Sequence, residues 1–141
     1  MTFVQSSSLM TGSNHMLDEG FPMGIHFKPD GTKLFMVGTG NDTIYEYSLS
    51  TPWDISSGSA GSLDFVQSSS LKFKGATTEQ SHKNINFKPD GTKMFAIGIS
   101  KDSIYEYSTA VDWNITSGSS TRFSDGETQG DNVLFHTGSS A

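Results

Sequence analysis

Phe27-Lys28-Pro29-Asp30-Gly31-Thr32-Lys33 recurs unchanged as Phe87-Lys88-Pro89-Asp90-Gly91-Thr92-Lys93. The match extends through Ile44-Tyr45-Glu46-Tyr47-Ser48, repeated as Ile104-Tyr105-Glu106-Tyr107-Ser108, and on to Trp53 and Trp113. Of the 33 positions from Phe27 to Ser59, 20 are identical 60 residues later. A second block, Phe3 to Leu9, returns as Phe65 to Leu71. A fixed period of this size is the signature of a repeat architecture.

Each copy reads as short strands divided by turns. Ile25 to Lys28 and Ile85 to Lys88 open the copies. Pro-Asp-Gly then supplies a turn: Pro presets φ, Asp bonds its own backbone and Gly accepts positive φ. Leu34-Phe35-Met36-Val37 and Met94-Phe95-Ala96-Ile97 are apolar on both faces, as expected of strands buried between layers. Thr43 to Ser48 alternates, with Tyr45, Tyr47 and Leu49 facing one way and Ile44 and Glu46 the other. Leu63 to Ser68 forms a fourth strand, and Thr121 to Ser124 its counterpart. Pro, Gly and Ser interrupt every window before a helical period could develop.

The totals agree with a small all-β chain. The 141 residues suffice for one domain. Hydrophobic residues are only 33%, so the core falls to 10 Phe, 4 Tyr and 2 Trp. The 23 Ser, 14 Thr and 15 Gly cluster between the apolar segments and read as turns. A net charge of −6 without a basic run argues against nucleic acid as a partner. The absence of cysteine removes disulfides and thiolate metal sites. No segment approaches the roughly 20 apolar residues of a spanning helix, so membrane insertion is not expected. Met1 to Gln5 carries neither a charged nor an apolar leader region.

Four antiparallel strands per copy without helices describe a β-propeller blade. The fold class expected is therefore all-β: two four-stranded antiparallel β-propeller blades plus partial flanking blades. Residues 1–10 read as an orphan fourth strand, 24–73 as blade one, 84–125 as blade two and 130–141 as the start of a third repeat. The order Phe-Lys-Pro-Asp-Gly-Thr-Lys, apolar strand, Ile-Tyr-Glu-Tyr-Ser, Trp resembles tandem repeats of the YVTN and WD-repeat type, frequent in marine viral and bacterial proteins. The resemblance implies a propeller of the viral-tail or cell-surface kind, with a virion or extracellular location, and supplies no catalytic residue.

Closed propellers hold about 4–8 blades, and repeat arrays need about three units for stability. Two copies would leave sheet faces open. The missing blades are expected from self-association into a homo-oligomer or from a longer parent chain.

Chemistry-bearing residues are few. Asp30 and Asp90 fit turn chemistry better than metal binding. Asp42 and Asp102 lack the oxygen ligands of a calcium loop. Glu46 and Glu106 sit in different blades, too far apart for paired acid–base work, and are expected to pair with a lysine on the same sheet face or to face solvent. His15, His26, His82 and His136 occupy unrelated repeat positions with no ligand spacing. Metal and cofactor are not expected, and no catalytic residue is assigned. The four repeated tyrosines are expected to pack blade on blade. Trp53 and Trp113, in loops, and His15, Asp18 and Glu19, in a loop differing between copies, are the binding candidates, for a carbohydrate or protein ligand. The function expected is non-enzymatic recognition or structural assembly. The alternatives are an enzyme or cofactor propeller whose central-channel site forms on ring closure, and an intracellular interaction scaffold.

Overall fold

The computed structural model describes residues 1–6, 21–40, 43–56, 62–70, 82–99, 103–109, 111–115 and 118–123. Its eight strands are β1 (Pro22–Phe27), β2 (Lys33–Gly38), β3 (Thr43–Leu49), β4 (Leu63–Ser70), β5 (His82–Phe87), β6 (Lys93–Gly98), β7 (Ser103–Thr109) and β8 (Gly118–Phe123). They form two four-stranded antiparallel sheets, ordered β1-β2-β3-β4 and β5-β6-β7-β8. No helix occurs among the described residues. Each sheet is a meander, as short connections between sequential antiparallel strands dictate.

The Pro-Asp-Gly segment makes the β1–β2 turn. Gly31 N–H donates to the Lys28 carbonyl at 2.8 Å, and Lys28 N–H donates to the Lys33 carbonyl at 3.0 Å. Gly31 sits at φ 74° and Gly91 at φ 76°, a conformation that Gly adopts without the Cβ penalty. Asp30 Oδ1 accepts from Thr32 N–H at 2.9 Å and from Thr32 Oγ1 at 2.6 Å, while Lys28 Nζ lies 2.6 Å from Oδ2. Asp90 repeats the arrangement with Thr92 and Lys88. These bonds hold both carboxyls well below the usual carboxylate range, the lysine contact contributing most. The repeated Asp is a turn residue.

Register assigns every side chain to a face. In the first sheet, Phe35 pairs with His26 and Glu46, and Val37 with Ile44, on what we term the first face. Met36 pairs with Ile25 and Tyr45, and Leu34 with Phe27 and Tyr47, on the second face. Strands β5 to β7 keep this register: Phe95, Asn86 and Glu106 on the first face, and Ala96, Ile85, Tyr105, Met94, Phe87 and Tyr107 on the second. The fourth strand does not: the expected counterpart over Thr121 to Ser124 is instead β8 over Gly118–Phe123, where Phe123 pairs with Ile104, whereas Phe65 of β4 pairs with Tyr47. The alternation expected for Thr43 to Ser48 holds, with Ile44 and Tyr45 buried on opposite faces.

The two sheets stack first face to second face. Phe35, Val37 and Ile44 share one buried cluster with Ile85, Phe87, Met94, Ala96, Tyr105, Tyr107, Trp113 and Ile115. The Phe35 and Phe87 rings lie 4.4 Å apart. Burying each such large apolar side chain contributes about 1.5–3 kcal/mol before ordering costs. Strand β5 lies against β1 and β2 at this contact. A Cβ added to Gly24 would fall 2.8 Å from Asn84 Cα, so the glycine permits the backbones of β1 and β5 to approach.

The orphan strand expected over residues 1–10 is not formed over its described part. Residues 1–6 hold no strand; Phe3 and Val4 are exposed, and Gln5 Nε2 donates to Asp54 Oδ1 at 3.1 Å. The fourth-strand place that this segment matches is held in the first sheet by β4. The third-repeat segment 130–141 lies outside the described residues.

Candidate functional site

Two corners of the fold carry the repeated tryptophans. In the first, Trp53 N–H donates to the Gly31 carbonyl at 3.0 Å; in the second, Trp113 N–H donates to the Gly91 carbonyl at 3.1 Å. Both tryptophans adopt positive φ, 65° and 59°. A non-glycine residue in this region costs about 1–2 kcal/mol, so the surroundings must enforce it. They do so by laying the indole over the turn glycine and against the first-strand phenylalanine. Trp53 and Phe27 rings are 5.3 Å apart, and Trp113 and Phe87 rings 5.2 Å. The Pro-Asp-Gly turn and the tryptophan are one structural unit, closed by a residue some 20 positions away.

The two corners differ in what covers them. Trp113 is 7% exposed, because the first sheet lies over it: its ring also stacks on His26 at 6.0 Å and Phe35 at 6.2 Å. Trp53 is 55% exposed. Of the two tryptophan candidates, only Trp53 offers a ring face to a ligand. His15, Asp18 and Glu19 lie outside the described residues. Tyr45, Tyr47, Tyr105 and Tyr107 are all buried, so they pack within and between sheets and present no stacking platform. Burial also pushes the Tyr47 hydroxyl well above its ordinary pKa, with the neighbouring Tyr45 adding to this.

Of the two outcomes expected for the repeated glutamates, the structure shows lysine pairing. Glu46, 1% exposed, accepts from Lys33 Nζ at 2.6 Å and from Gln67 Nε2 at 2.5 Å. Glu106, 20% exposed, accepts from Lys93 Nζ at 2.5 Å. Lys33 Nζ makes a second contact, donating to the Trp113 carbonyl at 3.0 Å across the sheet contact. This lysine ties the two repeats together, a role that its turn-flanking position in the sequence did not disclose.

His26 aligns with Asn86 and lies on the first face, against Phe87 and Trp113. Burial lowers its pKa below 6.5. His82 is fully buried and packs 5.6 Å from the Tyr105 ring. Among the described residues, no three His, Asp or Glu side chains stand close enough to hold one metal ion. Comparison of the sequence with protein-family models and with curated proteins gives no match.

Proposed function

We propose that the chain is a non-enzymatic β-propeller repeat module, used for recognition or structural assembly of the viral-tail or cell-surface type. The observation carrying this reading is the unidirectional stack. The first face of one sheet meets the second face of the next, so the same operation can be applied again without limit or until a ring closes. A sandwich joined by like faces would end after two sheets.

The use made of the polar residues supports a non-enzymatic role. Asp30 and Asp90 hold turns, and Glu46 and Glu106 neutralise lysines of their own sheets. The repeated motif is thereby accounted for by folding. Recognition falls to non-repeated groups and to Trp53, the candidate with an open aromatic face.

Glycan-array binding of the purified chain, with hydrolysis assayed on every glycan bound, tests the reading. Binding without turnover, weakened by Trp53→Ala in a variant that keeps its circular dichroism, is the expected result. Turnover of a bound glycan would overturn the non-enzymatic assignment. Absence of glycan binding would remove carbohydrate recognition and leave assembly.

A further inference from the structure

Building on the propeller reading, we infer that the exposed first face of the second sheet is a docking surface for the second face of the first sheet of another copy of this chain. The contact would repeat, in trans, the contact that already joins the two sheets in cis.

The residues of the cis contact define what each half requires. The first-face half uses Phe35, Val37 and Ile44, each 0% exposed. Their equivalents on the second sheet are Phe95, only partly buried, Ile97, 44% exposed, and Ile104, 52% exposed. The same apolar face is therefore built twice and covered once. The second-face half uses Ile85 at 2% and Trp113 at 7% exposure, both on or beside β5. Their equivalents on the first sheet are Ile25 at 58% and Trp53 at 55%. The second face of the first sheet is buried over β2 and β3 but open along β1, the strand corresponding to β5. Each chain thus exposes the first-face half and, of the second-face half, the strip along β1 with Trp53; Leu34, Met36, Tyr45 and Tyr47, which match Met94, Ala96, Tyr105 and Tyr107 of the cis contact, are already covered within the chain.

Two details fit the same occupant. First, the indole wedge is preformed: Trp53 rests on Phe27 as Trp113 rests on Phe87, with ring separations of 5.3 and 5.2 Å. Second, a polar latch is in place. Lys33 Nζ bridges Glu46 and the Trp113 carbonyl, while Lys93 Nζ is held on Glu106, with its side chain 43% exposed. In the trans contact Lys93 meets the Trp53 carbonyl of the incoming copy.

The two surfaces differ from each other, so association is head to tail and ends in a ring or continues as a filament. A burial pattern of this kind also explains why large aliphatic residues stand on the solvent side of β6 and β7, where a two-sheet protein would place polar ones.

The test uses two variants of the full chain. Ile97→Lys blocks the first face of the second sheet, and Ile25→Lys blocks the second face of the first; both side chains are exposed within one chain, so folding tolerates the change. The expected result by sedimentation is an assembled wild type, a monomer for each variant alone, and a two-chain complex when the variants are mixed, since one intact pair of faces remains. Monomeric wild type at high micromolar concentration, or association undiminished in both variants, would overturn the inference. A measurement without substitution accompanies this: Trp113 is already buried, so a blue shift of tryptophan emission with rising concentration reports Trp53. A concentration-independent spectrum would overturn the inference. Sedimentation is independent of glycan binding, so failure here and failure of the recognition reading are separable.

Discussion

Trp113 and Gly91 occupy one space: a Cβ built on Gly91 would lie 2.3 Å from both Cδ1 and Nε1 of the indole. Gly31 and Trp53 stand in the same relation, with 2.3 Å to Nε1. The glycine of the turn is therefore required twice, by its positive φ and by the ring above it.

Gly91→Ala is expected to cost about 2–4 kcal/mol, combining left-handed strain with displacement of a buried indole. For a chain of this size that lowers Tm by roughly 5–15 °C, measurable by scanning calorimetry. Gly31→Ala should cost less, because Trp53 is half exposed and can swing away. Equal losses at both sites would contradict the difference in cover.

Phe35→Ala and Phe95→Ala form a matched pair on equivalent positions. Phe35 is fully buried between the sheets, and its truncation should cost about 3–5 kcal/mol. Phe95 is only partly buried. At concentrations where single chains prevail, denaturant unfolding should find its truncation at least about 1 kcal/mol less costly.

Glu46→Gln should destabilise more than Glu106→Gln. Glu46 is 1% exposed and satisfies both Lys33 and Gln67, whereas Glu106 is 20% exposed. Losing the charge at Glu46 leaves Lys33 beside the sheet contact, at about 1–3 kcal/mol once its own 30% exposure is allowed for. The change at Glu106 should stay below about 1 kcal/mol. Urea midpoints of the two variants settle the order.

Acid should weaken the fold in two separate windows. Burial lowers the His26 pKa, so the unfolded chain binds its proton more readily than the folded one. Stability from this residue is complete above pH 6.5 and is lost as pH falls below it. Asp30 and Asp90 are also depressed in the fold, and their contribution is lost only as pH falls below 3.8. Tm followed from pH 8 to pH 5 should decline in the wild type and flatten in His26→Asn, which installs the residue of the second repeat. A slope unchanged by that substitution would exclude His26 as its source.

Much of the local structure was legible in residue order. Pro-Asp-Gly announced its turn, and Tyr45-Glu46-Tyr47 its alternation, because both depend on neighbours in sequence. The apolar runs Leu34 to Val37 and Met94 to Ile97 announced burial on two faces. For the first run the structure agrees on every residue; for the second, Ile97 is left at 44% exposure. The run states what a strand requires, and only packing supplies a cover. The candidate site was less legible: Trp53 and Trp113 are indistinguishable as sequence, and one of them is buried by His26 and Phe35 of the other sheet.

The sequence by itself determined the repeat unit, its first three strands and its turns, since these follow from periodicity and turn chemistry; the placing of β8 and the choice of lysine over solvent for Glu46 and Glu106 needed the sheet. Tertiary structure alone decided the direction of stacking, the hold of Lys33 on the Trp113 carbonyl, and which copy of each repeated residue lies in water. The physical reason is that two near-identical copies carry near-identical propensities. Only their positions in the stack, one with a following sheet over its first face and one, among the described residues, without, make equivalent residues different.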